Sequence, residues 1–132
     1  MASCSKIALD TNIILYAIEK KVDLFEEFAN CFGNYEAVVP QSVINEIRKI
    51  AESKDSGSSI AKRAAIASKI LEHNDIRIVK LSKNADKDLL ALSKKGLLVA
   101  THDRELRKLI KSYGGKVIYL RSKKLFGSDV CV

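Results

Sequence analysis

Apolar and polar residues alternate along the chain in two patterns, which predict two kinds of secondary structure. Short runs of apolar residues predict five strands, at Lys6–Leu9, Glu36–Val39, Arg77–Leu81, Leu97–Ala100 and Val117–Leu120. Stretches with an apolar residue every three or four positions predict six helices, at Ile13–Lys20, Leu24–Phe32, Gln41–Glu52, Ile60–His73, Ala85–Lys95 and Arg104–Tyr113. The polar segment Ser53–Ser59 predicts an exposed loop, and the last dozen residues give no clear pattern.

The regular alternation of strand and helix predicts an α/β fold. Because the strands are short and almost wholly apolar, we expect a parallel sheet that helices cover on both faces. The length of 132 residues fits one domain spanning 1–132. In sheets of this class, ligands bind beyond the carboxyl ends of the strands, so the residues that follow each strand are the first candidates for chemistry.

Four acidic residues lie at or near that predicted edge. Asp10 directly follows the first strand, and Asp103 lies just after the fourth. Glu46 falls in the first two turns of the helix after the second strand, and Asp86 in the first turn of the helix before the fourth. Each also has a simpler interpretation: Asp10 (competing with Asn12) and Asp103 as helix caps, Asp86 as a charge favoured by the helix dipole, and Glu46 as a solvated side chain.

The third acid of this set has a rival two residues further along. Both Asp86 and Asp88 lie in the first turns of their helix. Three, four and seven residues after Asp86 come Leu89, Leu90 and Ser93, a stripe expected to pack on the sheet. The stripe from Asp88 runs through Ala91, Leu92 and Lys95 and is expected to drift toward solvent. We therefore expect Asp86 to be the ligand, with Asp88 as the alternative.

A cluster of carboxylates repels itself and needs a cation. Hard ions such as Mg²⁺ and Mn²⁺ prefer oxygen ligands, and they support phosphodiester hydrolysis. His73 and His102 are the only histidines and neither pairs with a cysteine; the three cysteines Cys4, Cys31 and Cys131 are widely spaced, so a zinc site is not expected. The net charge of +7 favours a polyanionic partner such as nucleic acid.

Basic residues beside the predicted acidic edge give candidates for an RNA path. For each of them a solvated helix face is the competing interpretation. The candidates are Arg48, Lys49, Lys62, Arg63, Arg104 and Arg107. Contacts of this kind would be made mostly to phosphate.

Four segments follow one another along the chain: Ile7–Asn12 (IALDTN), Pro40–Ile47 (PQSVINEI), Ala85–Leu90 (ADKDLL) and Val99–Leu106 (VATHDREL). In this order, they resemble the motifs of PIN-domain nucleases across nearly the whole chain. The ending Val117–Arg121 is similar to archaeal members. The third segment departs from the family pattern, since members often have adjacent acids where this chain has Asp86-Lys87-Asp88.

This resemblance implies a fold and an activity. The fold is a three-layer α/β/α sandwich with five parallel strands in the order 3-2-1-4-5. The activity is Mg²⁺- or Mn²⁺-dependent endonucleolytic cleavage of RNA, often by a homodimer. By match, Asp10, Glu46, Asp86 and Asp103 would carry the metal, Thr101 would support the site and Asn12 would orient Asp10.

Within the nuclease hypothesis, two cellular roles stay open. Processing of ribosomal RNA is favoured by the archaeal-looking ending and the long basic helix at Ile60–His73. The alternative is the toxin of a toxin–antitoxin pair, with an antitoxin as partner. A non-catalytic RNA-binding assembly module is the rival from another class. A short apolar N-terminus and no long apolar stretch predict a cytoplasmic protein with no membrane partner.

The chain lacks the sequence signatures of other folds that bind or hydrolyse phosphate groups. A receiver domain needs paired acids after the first strand, where this chain has only Asp10. A haloacid-dehalogenase-type phosphatase needs Asp-x-Asp, but position 12 is Asn12. No glycine-rich phosphate loop is present, which excludes a P-loop nucleotide hydrolase.

Overall fold

The computed structural model describes residues 4–53 and 57–127, in which helices and strands alternate around one sheet. The strands are β1 Ser5–Leu9, β2 Tyr35–Pro40, β3 Ile76–Val79, β4 Leu98–Ala100, β5 Lys116–Arg121 and β6 Lys124–Gly127. The helices are α1 Thr11–Glu19, α2 Leu24–Phe32, α3 Gln41–Ala51, α4 Ser59–His73, α5 Ala85–Lys94 and α6 Arg104–Ser112. Part of the exposed loop predicted at Ser53–Ser59 lies outside the described residues. Cys131 also lies outside them.

Two separate hydrophobic cores fill the two faces of the sheet, which confirms the three-layer α/β/α sandwich. Alternate residues of a strand point to opposite faces. Ile7 and Leu9 of β1 pack with apolar residues of α1 to α4, whereas Ala8 between them packs with residues of α5 and α6. The carboxyl-terminal halves of β1 and β2 and the whole of β4 are therefore buried from both sides, whereas the edge strand β3 is largely exposed.

Within the described residues the sheet has six strands in the order β3-β2-β1-β4-β5-β6, so the expectation of five was wrong by one strand. The first five strands are parallel in the expected order, and β6 pairs antiparallel with β5. The turn between them is Ser122-Lys123, with Ser122 at a φ of 55°. Two-residue hairpin turns usually contain Asn-Gly, Asp-Gly or Gly-Gly, and this turn contains none of these pairs.

The strand order reverses between β1 and β4, and this point positions the site. Leu9 of β1 lies beside Ala100 of β4, and the backbone N–H of Asp10 donates to the carbonyl of Ala100 over 3.0 Å. The chain segments that leave the two strands therefore start side by side, at the place where open α/β sheets bind ligands. In the part of the chain described here, no helix is both long and apolar enough to span a membrane.

Candidate active site

Asp10 is the buried centre of the site. It follows β1 directly and is only 6% exposed. Its Oδ1 accepts from the backbone N–H of Thr11 over 2.8 Å, and its Oδ2 accepts from the Thr101 hydroxyl over 2.7 Å. Asp10, and not Asn12, is therefore the N-cap of α1. The helix cap holds the carboxylate in a fixed orientation at the sheet edge.

A pocket of about 410 Å³ opens beside Asp10 and gathers the acidic residues singled out in the sequence. They reach it from four elements: the end of β1, α3, α5 and the N-terminus of α6. Its lining includes Asp10, Glu46, Asp86, Asp103, Thr11 and Asn12, together with the apolar side chains of Leu15, Ile50 and Ile60. Glu46 and Asp86 are exposed, whereas Asp103 is half-buried.

Asp103 reaches this pocket from the N-terminus of α6. Its Oδ1 accepts from the backbone N–H groups of Glu105 and Leu106, over 2.9 and 3.2 Å. The capping interpretation of Asp103 is therefore correct, and it is compatible with a role in the pocket. Because both capping bonds use Oδ1, Oδ2 is the oxygen open to a cation.

Burial and the neighbouring negative charges raise the pKa of Asp10. Burial raises the pKa of Asp10 from 3.8 to about 6, although hydrogen bonds from Thr101 and Thr11 lower it. The negative charges of Glu46 and Asp86 add to the rise. A raised carboxyl pKa makes folding more favourable below pH 3.8 and less favourable as the pH rises through 6. At neutral pH Asp10 is therefore a carboxylate that a nearby cation would stabilise.

These side chains fit a hard divalent cation with an incomplete protein shell. Within residues 4–53 and 57–127, no three acidic, histidine or cysteine side chains converge closely enough to enclose a metal ion. Mg²⁺ is commonly held by one or two carboxylates, with water and substrate phosphate filling the other positions. One buried carboxylate, with the half-buried Asp103 and the exposed Glu46 and Asp86 around an open pocket, suits that mode of binding.

Thr101 links two of the pocket carboxylates. It is fully buried at the end of β4. Its hydroxyl donates to Asp10 Oδ2 and accepts from the backbone N–H of Asp103 over 3.1 Å. A serine or threonine is the simplest residue that can do both, since a hydroxyl is donor and acceptor at once. Thr101 therefore sets the position of Asp103 relative to Asp10.

The turn that carries Asp103 is also held from two other sides. Asn12 Oδ1 accepts from the backbone N–H of His102 over 3.0 Å and lies 3.5 Å from the Thr101 hydroxyl, which donates to Asp10. The Nε2 of His102 accepts from the backbone N–H of Leu120 over 3.0 Å, and the Tyr16 ring packs edge-on against the imidazole at 4.3 Å. Burial lowers the pKa of His102, which favours the neutral imidazole this acceptor role requires. The sequence pattern around His102 does not indicate this role.

The family of the chain follows from its sequence similarity to a family model. A family model described as a PIN-like domain matches residues 7–123. The chain belongs to this family. The affiliation confirms the resemblance drawn from the four sequence segments, and all of them fall within or overlap the matched range.

Two curated ribonucleases resemble this PIN-like domain. Ribonuclease VapC9 of Archaeoglobus fulgidus is 31% identical over 117 residues, covering 88% of this chain and 83% of its own. Ribonuclease VapC4 of Methanocaldococcus jannaschii is 25% identical over 125 residues, covering 92% of this chain and 94% of its own. The similarity therefore extends over nearly the full length of both relatives.

Two solved structures share the fold of this PIN-like domain. The PIN domain endonuclease Utp24 superposes with a TM-score of 0.76 at 22% identity, over 94% of this chain and 91% of that one. A domain of a functionally unknown protein from Methanocaldococcus jannaschii gives 0.59 at 17% identity, over 92% and 94%. At these identities the likeness concerns the fold alone.

Asp88 lies away from the pocket in this PIN-like domain, and the expectation about its face was wrong. It is 2% exposed and shares the buried face of α5 with Leu89 and Leu92. One carboxylate oxygen accepts from the Ser42 hydroxyl over 2.6 Å. The other accepts from the backbone N–H and the hydroxyl of Ser82, over 2.9 and 2.6 Å. Asp88 therefore ties α5 to α3, the two helices that carry Asp86 and Glu46.

The predicted basic residues lie on three helices, α3, α4 and α6. Arg48 and Lys49 on α3, Lys62 on α4 and Arg104 on α6 are exposed, whereas Arg63 and Arg107 are half-buried. Arg48 borders a separate groove beside α4 and β3, away from the acidic pocket. Arg107 lies with its guanidinium 4.3 Å from the centre of the Tyr119 ring.

Proposed function

We propose that this PIN-like domain is a metal-dependent endoribonuclease that hydrolyses phosphodiester bonds of RNA. The observation that carries the proposal is the pocket in which Glu46, Asp86 and Asp103 surround the buried carboxylate of Asp10. The similarity to two proteins named as ribonucleases supports RNA as the substrate class. In a non-catalytic RNA-binding module, helix capping would account for Asp10 but not for the three further acidic residues that line the same pocket.

Asp10, Glu46, Asp86 and Asp103 would hold Mg²⁺ or Mn²⁺. The cation would supply Lewis-acid chemistry, which activates water for attack and offsets charge on the phosphate. The hydrogen bonds from Thr11 and Thr101 fix Asp10 in place. The exposed side chains of Glu46 and Asp86 can adjust their rotamers to the cation and the substrate. Asp86 is preferred to Asp88 because three donors already occupy the carboxylate oxygens of Asp88.

A cleavage assay tests this activity. A single-stranded RNA labelled at one end is incubated with the protein and Mg²⁺, Mn²⁺ or EDTA, beside a DNA strand of the same sequence. We expect internal cuts in the RNA with either metal and none in EDTA. Equal cleavage in EDTA would contradict the metal-dependent mechanism, and no cleavage under any condition would contradict the enzyme.

For the cellular role, we propose processing of ribosomal RNA in the cytoplasm. The basic residues Lys62, Arg63 and Lys69 of α4 suit a large structured RNA, which presents many phosphates. Mapping cut positions on total RNA is the test: a few cuts in ribosomal RNA precursors support the role. Cuts confined to other RNAs, together with co-purification of a small partner protein, would favour the toxin of a toxin–antitoxin pair. Size-exclusion chromatography with light scattering would show whether the protein is a homodimer.

RNA affinity should fall steeply with salt because the proposed contacts are mainly to phosphate. For three or four phosphate contacts on a single strand, we expect Kd to rise roughly 20- to 50-fold between 50 and 200 mM KCl. Arg104→Gln, next to Asp103, should reduce the slope of log Kd against log salt by about 0.7. Lys111→Gln, at the other end of α6, is the matched control and should leave the slope unchanged. A Kd insensitive to salt would remove the electrostatic path altogether.

A further inference from the structure

The hairpin of β5 and β6 carries an array of aromatic rings and guanidinium groups. Tyr119 and Phe126 are cross-strand partners whose ring centres lie 6.2 Å apart with 23° between the planes. The guanidinium of Arg107 lies 4.3 Å from the centre of the Tyr119 ring, and that of Arg121 lies 5.5 Å from the centre of the Phe126 ring. We propose that this array is a stacking site for an unpaired base of the RNA substrate. The proposal rests on the ribonuclease function above.

The array and the acidic pocket both lie at the carboxyl ends of the parallel strands. Ile118 of β5 pairs with Ala100 of β4, so Tyr119 is level with Thr101 and Arg121 extends further beyond the edge. Arg107 follows Asp103 by one turn of α6, a rise of about 6 Å. An RNA strand that crosses the pocket can therefore reach the hairpin within a few nucleotides.

The chemistry of the array favours single-stranded nucleic acid. Aromatic faces and guanidinium planes both stack on bases, and guanidinium groups also bind phosphate. The hairpin segment 116–127 contains Lys116, Arg121, Lys123 and Lys124 and no acidic residue. An apolar partner would strip water from these charges without compensation. An acidic peptide would satisfy the charges but would leave the rings without a stacking partner.

The array is preorganised and is not part of the core. Phe126 is 38% exposed on the edge strand, whereas its neighbour Leu125 faces the core and is 8% exposed. The Nε of Arg107 is buried and makes no hydrogen bond, so packing against Tyr119 holds the guanidinium. Removing the Phe126 ring should therefore alter the surface without opening a cavity.

Binding of a labelled adenosine dodecamer, measured by fluorescence anisotropy in EDTA to prevent cleavage, tests the site. We expect Phe126→Leu to raise Kd at least about fivefold, the lower limit for loss of one stacked base. Phe126→Tyr should keep the wild-type affinity because it retains the ring. The matched control is Tyr113→Leu: Tyr113 is 61% exposed with the Lys94 ammonium 4.5 Å from its ring centre, but it ends α6 at the opposite edge of the sheet.

An oligomer of abasic sugar phosphates, which lacks bases, distinguishes binding of the bases from binding of the phosphates. We expect its affinity to be weak and unchanged by Phe126→Leu. Equal affinity of wild type and Phe126→Leu for the adenosine dodecamer, in a protein that cleaves RNA, would overturn the stacking site and leave the ribonuclease proposal standing. Loss of affinity on Phe126→Leu in a protein that does not cleave would support the site and overturn the enzyme. Displacement of the dodecamer by polyglutamate at equal charge concentration would overturn the site in favour of an acidic peptide.

Discussion

Asp10→Asn is expected to reduce metal-dependent RNA cleavage at least about 100-fold while the fold stays intact, because several kcal/mol of transition-state stabilisation depend on the bound cation. Asparagine has nearly the same shape and keeps an oxygen for the backbone N–H of Thr11. It removes the one pocket carboxylate that is both buried and fixed by two hydrogen bonds. The loss should therefore appear in kcat, with circular dichroism unchanged.

The same variant should remove a pH dependence of stability that Asp10 gives to the wild type. The rise of the Asp10 pKa from 3.8 to about 6 corresponds to roughly 3 kcal/mol lost from the folding free energy as the pH rises through this range. Urea unfolding at pH 4 and pH 7, without metal, should show that wild type loses stability relative to Asp10→Asn. Mg²⁺ should recover stability at pH 7 in wild type and not in the variant, because ligand binding stabilises the folded state.

Asp23→Asn is the matched control for this experiment. Asp23 also caps a helix, α2, and its side chain accepts from the backbone N–H of Glu26, but it lies outside the acidic pocket. It should keep full activity and show no Mg²⁺-dependent difference in stability from wild type. Wild-type cleavage by Asp10→Asn with metal present would end the assignment of Asp10 as a catalytic residue.

Asp88→Ala is expected to give the largest loss of stability. It leaves the Ser42 hydroxyl and the backbone N–H and hydroxyl of Ser82 without their acceptor. The Ser42 hydroxyl is buried, and an unsatisfied buried donor costs about 1–3 kcal/mol, whereas the donors of Ser82 are exposed and can bind water, so a total of about 2 kcal/mol is expected. For a domain of this size, Tm should fall by roughly 7 °C. Differential scanning calorimetry measures this directly.

Asp86→Ala, two residues earlier on the same helix, is the reciprocal control. Asp86 is exposed, so its loss should hardly change Tm. It should, however, weaken Mn²⁺ binding and remove most cleavage, whereas Asp88→Asn should keep most activity at temperatures where it is folded. A stable Asp88→Ala protein that no longer binds metal would reverse the assignment of the third ligand.

The main features of the fold could be predicted from local sequence. The apolar runs located β1 to β5, and for β1, β2 and β4 the reason is that a buried parallel strand is apolar on both faces. The position of Asp10 after β1 and of Asp103 after β4 then pointed to the reversal of the sheet. The segments that resemble PIN-domain nucleases added the strand order, which no local pattern contains.

What the sequence did not reveal depends on residues distant in the chain. The bond from Ser42 to Asp88 spans 46 positions, so the helical stripe alone gave the wrong face for Asp88. His102 accepts from Leu120, 18 residues away, and nothing adjacent to it in sequence indicates this partner. The strand β6 was missed because Ser122-Lys123 is not a typical hairpin turn. Because β6 was not predicted, the pairing of Tyr119 with Phe126 was not predicted either.

The central claim is that a divalent cation binds among the carboxylates around Asp10. Anomalous diffraction from crystals soaked in Mn²⁺, collected at the manganese absorption edge, tests it most directly. We expect a single strong peak in the pocket, within about 2.3 Å of Asp10 and of at least one further carboxylate among Glu46, Asp86 and Asp103, with water completing the shell. No peak there at millimolar Mn²⁺, or a peak on Asp88 instead, would contradict the account.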